Sequence, residues 1–391
     1  MKKALISTAV SLVAALSATL GGVSSASAIA VDSTVIPFVS DSDVYYSDVS
    51  PDGSRIAYPY YDADQVWILN TASGTIAEVD DTTHAFNGPA DVVFSPDGAT
   101  LYVTNYDQGT VLVVDVATAT VTGELTSAVF SEPNTIEISP DGNTLYVGDY
   151  DNGTFVVYDL LTDTSTDYFS VTYPYSMQIS ADGTMVFNID GYGGIDVFTT
   201  STSSISMSWV NVTGDFRDTC VNKDSTVLYM PDQTDGFLYK VSLTDGSVLD
   251  TLDFATVPEV GSTHTTCAVS PDGSSLFLSD YDAGSTSGSP DYTVTEGGVI
   301  YEFATSTLAY KSTHAVSGIA YTEQINFFND CSGYIAGYYG NAQKFTLDDV
   351  SCAPALPNTG VDTMAVIATG SLALLALLTG LFVLVVRRRK A

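Results

Sequence analysis

The chain has 391 residues, and its 46 Asp and Glu against 12 Lys and Arg give a formal net charge of −34 at pH 7. This charge excludes proteins that bind nucleic acid by neutralising phosphates and disfavours docking on anionic lipid, because both attractions would change sign. Apolar residues make up 45% of the chain, which is enough for a large core and argues against wholesale disorder.

Residues 1–30 have the three parts of a secretory signal peptide. Two lysines precede an apolar stretch, and small residues follow at positions 26–28. A retained membrane helix is the alternative, which the glycines at positions 21 and 22 disfavour. We therefore expect an exported protein whose mature chain begins near Ile29 or Val31.

A repeat fills the centre of the chain. The tetrapeptide Ser-Pro-Asp-Gly, or a variant of it, recurs at intervals of 41 to 48 residues. Six copies begin at Ser50, Ser95, Ser139, Ser180, Asn222 and Ser270, and a degenerate seventh begins at Asn329. Self-similarity at this period indicates an architecture in which each copy is one supersecondary unit.

The second copy shows what each unit contains. Three runs of β-branched and aromatic residues, at 101–105, 110–115 and 120–125, are separated by turns rich in Asp and Gly. With the apolar run before the Ser-Pro-Asp-Gly turn, each copy has four strands, and no segment has helical periodicity. Seven such units predict an all-β fold, a seven-bladed β-propeller of four-stranded blades.

Three segments of the second copy carry a resemblance to a known family. Tyr102-Val103-Thr104-Asn105, with the flanking Ser95-Pro96-Asp97-Gly98 and Val113-Val114-Asp115, resembles the YVTN family of β-propeller repeats. The resemblance covers roughly residues 40 to 350, and that family shares its fold with seven-bladed lactonases. It implies the propeller fold and leaves the activity open, because one propeller scaffold hosts many functions.

The last copy lacks an outer strand, since its pattern ends after residues 343–348. Residues 34–39, which precede the first inner strand at 44–49, are the natural donor. We therefore predict a propeller domain over residues 31–352 whose ring is closed by the mature N-terminal strand. A six-bladed ring with a separate C-terminal hairpin is the alternative.

Four cysteines in an exported chain permit disulfides. We favour the pairs Cys220 with Cys267 and Cys331 with Cys352. The first pair lies on neighbouring inner strands, although a one-residue offset points the side chains to opposite faces. The second pair flanks the last, incomplete blade. The cysteine spacing matches no zinc motif.

Four carboxylates are expected to converge on the central channel, because alternate residues of the inner strands face it. They are Asp48, Asp91, Glu137 and Asp218. Without a nearby lysine, such groups raise each other's pKa or bind a hard cation such as Ca²⁺. A wide channel in which they stay solvated is the alternative, so calcium is the one candidate cofactor.

Histidines offer a weaker signal. His84, His264 and His314 each follow a threonine in a loop that enters an inner strand, so we expect all three on one face. A shared zinc is disfavoured because they belong to different blades. In the lactonases His, Arg and Glu line the channel mouth, and the resemblance would place His264, Arg217 and Glu259 there.

Tyrosine and aspartate recur together in the turns between second and third strands. The candidate ligand loops contain Tyr106, Asp107, Tyr150, Asp151, Tyr281 and Asp282, and a Ser-, Gly- and Thr-rich insertion at 283–298 lies on the same face. Exposed tyrosine is a favoured contact residue, although turn chemistry alone explains the aspartates.

The C-terminal residues 353–391 have three parts in register. The pentapeptide Leu356-Pro357-Asn358-Thr359-Gly360 precedes an uncharged span at 363–386 and a basic tail at 387–390. This order resembles the sortase cell-wall sorting signal of Gram-positive surface proteins. The resemblance implies cleavage after Thr359, attachment to peptidoglycan, and hence sortase and peptidoglycan as partners. A plain single-span anchor is the alternative.

These patterns favour a cell-wall-anchored surface protein that binds an unidentified protein, glycan or small molecule. A lactonase-like hydrolase is the runner-up, and a structural wall coat comes third. The chain contains no nucleophile elbow, P-loop or dinucleotide fingerprint, which disfavours an enzyme without excluding one.

Overall fold

The computed structural model describes residues 29–37, 44–190, 194–206, 210, 212, 214–216, 218–232, 235–261, 266–280, 298–316, 319, 322–328, 332–337 and 341–347. Within these ranges the strands form seven antiparallel sheets of four strands each. The sheets are the blades of a seven-bladed β-propeller, so the fold class predicted from the repeat is confirmed.

The blades follow the chain, and each is given from its inner to its outer strand. Blade 1 contains β2 (Asp48–Val49), β3 (Arg55–Tyr60), β4 (Gln65–Asn70) and β5 (Ile76–Glu78). Blade 2 contains β6 (Pro89–Phe94), β7 (Thr100–Asn105), β8 (Thr110–Asp115) and β9 (Thr120–Leu125). Blade 3 contains β10 (Pro133–Ile138), β11 (Thr144–Asp149), β12 (Thr154–Asp159) and β13 (Thr164–Ser170).

The remaining blades keep the same order. Blade 4 contains β14 (Pro174–Ile179), β15 (Met185–Asp190), β16 (Ile195–Thr199) and β17 (Ser204–Ser206). Blade 5 contains β18 (Cys220–Val221), β19 (Val227–Pro231), β20 (Phe237–Ser242) and β21 (Val248–Asp253). Blade 6 contains β22 (Cys267–Val269), β23 (Ser275–Asp280), β24 (Gly298–Ala304) and β25 (Tyr310–Val316). Blade 7 contains β26 (Thr322–Phe327), β27 (Ser332–Gly337), β28 (Asn341–Leu347) and, from the other end of the chain, β1 (Ile29–Pro37).

The N-terminal strand closes the ring. Strand β1 pairs antiparallel with β28, with Ile36 opposite Ala342. The predicted closure is therefore confirmed, and the six-bladed alternative is wrong. The closing strand starts earlier than the predicted residues 34–39. The first inner strand is shorter than predicted, because only Asp48–Val49 pairs with β3.

The repeated tetrapeptide forms the tight turn between the first and second strands of a blade. In blade 2 the Ser95 hydroxyl donates to Asp97 (2.6 Å) and accepts from the Thr100 N–H (2.9 Å). Gly98 takes a positive φ of 69°, which favours glycine. These roles of the serine, the aspartate and the glycine explain why the three residues recur in most copies of the turn.

The core lies between the blades. The apolar residues just before the turns pack there as the alternation predicts; Phe94 and Ile138, for example, are almost fully buried in adjacent clusters. The first of these clusters joins Val66 and Ile68 of blade 1 to Leu101 of blade 2. Alternate residues of the same inner strands are thereby left to face the central channel.

A disulfide joins neighbouring blades. Cys220 on β18 and Cys267 on β22 are bonded, with Cα atoms 5.7 Å apart. The offset seen in the sequence does not prevent this pairing, since β18 and β22 are short and belong to different sheets. Cys331 and Cys352 lie outside the described residues.

Both predicted targeting segments also fall largely outside the described part of the chain. The signal peptide is described only at its last two residues, which belong to β1, and residues 353–391 are not described. Among the described residues no helix is both long and apolar enough to span a bilayer.

Candidate functional site

The inner strands surround a cavity of about 250 Å³. Its lining includes all four carboxylates that the alternation predicts, Asp48, Asp91, Glu137 and Asp218, with Tyr46, Thr135, Ser176 and Thr266. The lining also includes the residues between them, such as Val92 and Ile136, so both alternate sets of the inner strands border this cavity.

Each channel carboxylate accepts a hydrogen bond from the next blade along the chain. Asp48 accepts from its neighbour Val49 N–H (2.7 Å) and from the Phe94 N–H of blade 2 (2.7 Å). Asp91 accepts in turn from the Ile136 N–H (2.9 Å) and the Thr135 hydroxyl (3.0 Å) of blade 3. Backbone donors at the inner strands therefore already occupy these oxygens.

The same arrangement continues around the ring. Glu137 of blade 3 accepts from the backbone N–H of Ile179 in blade 4. Asp218 accepts from the Thr266 hydroxyl (2.7 Å) and from the Cys267 N–H of blade 6. The second of these bridges lies beside the disulfide, so blades 5 and 6 are joined twice.

Burial governs the protonation of these groups. It raises the pKa of Asp48 to about 6, of Asp91 to about 7 and of Asp218 to about 6, and it holds the pKa of Glu137 well above its usual range. The predicted mutual repulsion is a secondary cause for Asp91 and Glu137 and plays no part for Asp218. Hydrogen bonds from the neighbouring blades lower each pKa in part.

A metal would have to compete with these hydrogen bonds. In the described ranges, no group of three or more His, Cys, Asp or Glu side chains is arranged to hold a metal ion. The carboxylates share a cavity, but each one turns toward its neighbouring blade. Calcium at this position remains a prediction from the sequence.

Tyrosines form a continuous arc on the opposite face from the Ser-Pro-Asp-Gly turns. The ring centroids of Tyr45 and Tyr61 are 5.9 Å apart, those of Tyr61 and Tyr106 5.8 Å, and those of Tyr106 and Tyr150 6.5 Å. Tyr173, 5.3 Å from Tyr150, extends the arc to blade 4. Neighbouring blades thus contribute rings to one surface.

This arc borders a cavity of about 310 Å³, which we call the tyrosine pocket. It is lined by Tyr45, Tyr46, Tyr61, Tyr106, Asn134, Tyr150 and Tyr175. Six of its seven lining residues are aromatic, and each is partly exposed. The sequence predicted Tyr106 and Tyr150 as ligand-loop residues and missed the other four tyrosines.

One of the missed tyrosines, Tyr61, could have been found from its position in the repeat. Tyr61 directly follows the second strand of blade 1, as Tyr106 and Tyr150 follow β7 and β11. Aligning the ends of the second strands would have revealed it. Tyr45 and Tyr175 lie on the inner-strand side, where the sequence of a single repeat gives no such alignment.

Residues at the end of the second strands position the tyrosine loops. Asp149, the last residue of β11, accepts from the N–H groups of Ser131 (2.6 Å) and Glu132 (3.0 Å). At the same position in blade 2, Asn105 accepts from the Asn87 N–H (2.6 Å). These bonds fix each loop before an inner strand against the tyrosine turn beside it.

Carboxylates accept hydrogen bonds from two of the pocket phenols. Tyr106 donates to Glu132 (2.5 Å), and Tyr61 donates to Asp107 (3.4 Å). Burial, followed by these carboxylates, raises the pKa of Tyr61 to about 12 and that of Tyr106 further. The phenols are therefore neutral donors at physiological pH.

Of the other predicted ligand-loop residues, the structure describes Asp107 and Asp151. Asp107 and Asp151 are exposed, and Asp151 accepts from the Ser131 hydroxyl (3.2 Å). Tyr281, Asp282 and the insertion as far as residue 297 lie outside the described residues.

The expected placement of His314 in a loop is wrong. His314 lies in β25, the outer strand of blade 6, and its ring contacts the buried Glu302 carboxylate (3.1 Å). It is not in a loop because the insertion in blade 6 shifts the third and fourth strands toward the C-terminus. His84 is in a loop, 3.6 Å from Glu124, and His264 lies outside the described residues.

The lactonase-like trio is described only in part. Glu259 is exposed and does not line the central cavity. Arg217, like His264, lies outside the described residues. The channel mouth that the resemblance implies is therefore not assembled from the described side chains.

Comparison with known proteins agrees on the fold. A family model described as "Lactonase, 7-bladed beta-propeller" matches residues 53–175. This stretch is similar to the seven-bladed lactonases. It holds blades 2 and 3 with parts of blades 1 and 4, including Asp91, Glu137 and the tyrosines of the turns. Less than half of the chain is matched.

Two solved structures contain similar folds. A chain of the Kuenenia stuttgartiensis hydrazine synthase is 20% identical with a TM-score of 0.54, over 65% of this chain and 76% of that one. A chain of the mitotic checkpoint complex is 17% identical with a TM-score of 0.61, over 81% and 92%. These identities establish likeness of fold alone. Among curated proteins none matches the sequence.

Proposed function

We propose that this protein is a cell-wall-anchored surface β-propeller that binds an extracellular ligand in the tyrosine pocket. The observation that carries the proposal is the arc of tyrosine rings from neighbouring blades around one open cavity. Tyrosine supplies a large contact area with little loss of side-chain entropy, and it is enriched where proteins recognise ligands.

The attachment rests on both ends of the sequence. A signal peptide directs export, and the sorting signal at 353–391 ends translocation and supplies the sortase substrate. The propeller then stands outside the cell, where its acidic surface keeps it soluble and repels other anionic surfaces.

A fractionation experiment tests the attachment. Deleting residues 356–360 should move the protein from the detergent-resistant cell-wall fraction to the membrane and medium, whereas Thr363→Ala, outside the pentapeptide, should leave it in the wall. Membrane location of the wild-type protein would contradict the sortase proposal in favour of a plain anchor.

A display experiment tests the binding. Cells that carry the wild-type protein are applied to a panel of immobilised neutral glycans, basic peptides and extracellular proteins. The double variant Tyr61→Leu and Tyr150→Leu should lose retention while its melting temperature changes little. Leu161→Ser is the matched control, because Leu161 is 77% exposed in the turn between β12 and β13, on the opposite face.

A lactonase-like hydrolase is the second candidate, favoured by the family match over residues 53–175. Carboxyl groups with a pKa near neutrality, such as Asp91, suit general acid–base catalysis. Assay of a panel of sugar and aliphatic lactones tests it. Hydrolysis that is lost in Asp91→Asn and retained in Asp151→Asn would favour the enzyme over the binding protein.

A further inference from the structure

The tyrosine pocket has a geometry and charge environment that select among ligands. We infer that it binds a compact organic cation, of which a quaternary ammonium group is the simplest form. The inference rests on the proposed function and specifies the ligand of the same pocket.

Two of the three neighbouring ring pairs of the pocket stand at steep angles, and the third, Tyr106 with Tyr150, is tilted at 45°. Tyr45 and Tyr61 meet at 73°, and Tyr61 and Tyr106 at 70°. Neighbouring rings at such angles form walls around a small volume, whereas a flat platform would require nearly coplanar rings. Several aromatic faces around one site is the arrangement that recognises quaternary ammonium groups through cation–π attraction.

Negative charge stands behind two of these rings. The carboxylates of Glu132 and Asp107 accept hydrogen bonds from the phenols of Tyr106 and Tyr61, and their negative charge lowers the electrostatic potential at the pocket. A cation in the pocket meets ring faces first and the carboxylates at longer range.

Blades 2, 3 and 4, which contribute Tyr106, Tyr150 and Tyr175 to the pocket, contain no Lys or Arg. The sequence contains no Lys or Arg between Ile56 and Phe216, a stretch that includes blades 2, 3 and 4. Arg55 lies at the start of β3, at the opposite end of that strand from Tyr61. On the side of blades 2 to 4, a lysine or arginine of this chain therefore does not supply the positive charge, and the ligand can.

A neutral sugar fits the same pocket less well, because its hydroxyls need several polar partners. Among the described residues that line it, Asn134 is the one polar side chain apart from the phenols. Its amide nitrogen already donates to the carbonyls of Pro174 (3.1 Å) and Tyr175 (3.2 Å), and the Tyr46 phenol donates to the Tyr175 carbonyl (2.6 Å). With the phenols of Tyr61 and Tyr106 also bonded to carboxylates, half of the six phenols and the Asn134 amide nitrogen already donate within the protein.

Calorimetric titration of the full-length protein with choline at 0.15 M salt tests the inference. Its matched control ligand is 3,3-dimethylbutan-1-ol, which has the same shape without the charge. We expect saturable binding of one choline, at least about tenfold tighter than the neutral isostere. At this ionic strength screening limits the diffuse attraction of the net charge.

Variants show whether choline binds in the pocket or is attracted by the net charge of the protein. Tyr106→Leu should weaken choline binding about tenfold, and Tyr106→Phe, which keeps the ring face, should change it less than Tyr106→Leu. Leu161→Ser should leave it unaltered. Melting temperatures of all three variants establish that the fold is retained.

Each other outcome overturns the inference. Equal binding of choline and its isostere would mean an apolar site, and unchanged binding by Tyr106→Leu would mean attraction to the whole acidic surface. If choline does not bind while the pocket variants still lose retention on the display panel, the ligand is not a quaternary ammonium cation and the proposed function stands.

Discussion

The carboxylate of Asp91 in blade 2 accepts a 2.9 Å hydrogen bond from the backbone N–H of Ile136 in blade 3. Equivalent bridges start at Asp48, Glu137 and Asp218. Among the described residues, the loops and the Cys220–Cys267 disulfide are the only covalent links between sheets, so these side chains hold neighbouring inner strands in register. The carboxylates therefore converge in the channel because they link neighbouring blades, even though such a cluster also resembles a metal-binding or catalytic site.

The first prediction concerns stability against pH. Burial raises the folded-state pKa of Asp91 from 3.8 to about 7. The protonated Asp91 carboxyl therefore contributes fully to the unfolding free energy below about pH 4. This contribution is lost as the pH rises through 7, because in the unfolded chain the Asp91 carboxyl ionises at a lower pH than in the folded protein. Urea unfolding at pH 4.5 and 7.5 should give lower stability at pH 7.5.

The Asp91→Asn variant should reduce that difference, since the asparagine does not titrate. Asp151→Asn, at an exposed position, is the control and should keep the wild-type difference. If Asp91→Asn shows the same difference in unfolding free energy between pH 4.5 and 7.5 as the wild type, Asp91 does not cause the pH dependence.

The second prediction concerns the disulfide. Cys220 and Cys267 are 47 residues apart, so opening the bond restores the chain entropy of a long loop to the unfolded state. The double variant Cys220→Ser and Cys267→Ser should lose about 3 to 4 kcal/mol of unfolding free energy. Reduced wild-type protein should lose a similar amount, and equal stability of all three forms would contradict the pairing.

The third prediction concerns a buried ion pair in blade 6. Hydrogen bonds from His314 and Lys311 outweigh burial and hold the pKa of Glu302 at about 2. Its stabilisation is present above about pH 4.5 and is lost as the pH falls through 2. Since Lys311 is 35% exposed and screened, the contribution is roughly 2 kcal/mol.

Glu302→Gln should therefore lower stability at pH 7 by roughly that amount and weaken the dependence on pH between 4.5 and 2. Urea unfolding at pH 7 measures the first effect, and acid titration of the circular dichroism signal measures the second. An acid transition in the variant that matches the wild type would refute this role for Glu302.

The fourth prediction concerns Gly148, at the contact between blades 3 and 4. A Cβ atom there would lie 2.5 Å from Pro174 and 2.6 Å from Thr135. Gly148→Ala should lower the unfolding free energy by about 1 to 3 kcal/mol. Gly123→Ala is the control, because its Cβ would lie 3.8 Å from Val113, and it should be neutral or slightly stabilising.

The fifth prediction concerns calcium, the cofactor that the carboxylate pattern suggests. The oxygens of Asp48 and Asp91 already accept backbone N–H groups, so binding Ca²⁺ would require breaking inter-blade bonds. We expect the same melting temperature with millimolar Ca²⁺ and with chelator. A rise with Ca²⁺, together with bound metal in elemental analysis, would make the carboxylates a metal site.

The fold was predictable because each copy of the repeat contains the turn and the strands of one blade. The serines and aspartates of the turns have local partners within the tetrapeptide, as in Ser95 with Asp97. The closing strand could also be inferred, since a missing outer strand has to come from elsewhere. Its bounds could not, because pairing with β28 extends the strand back to Ile29.

The candidate site was less predictable because it depends on contacts between blades. The sequence places Asp91 and Glu137 in the channel, yet it does not indicate that their oxygens turn toward the next blade. It also assigns His314 to a loop, because the length of the blade 6 insertion hides the register of β25. Tyrosines from separate repeats meet only when the ring is closed.

Retention of displayed cells on the panel of glycans, basic peptides and extracellular proteins tests the central claim most directly. The comparison is between the wild-type protein and the double variant Tyr61→Leu and Tyr150→Leu at equal surface density. The account predicts that retention on at least one surface falls to background in the double variant and persists in Leu161→Ser. Equal retention of all three would contradict the tyrosine pocket as the binding site.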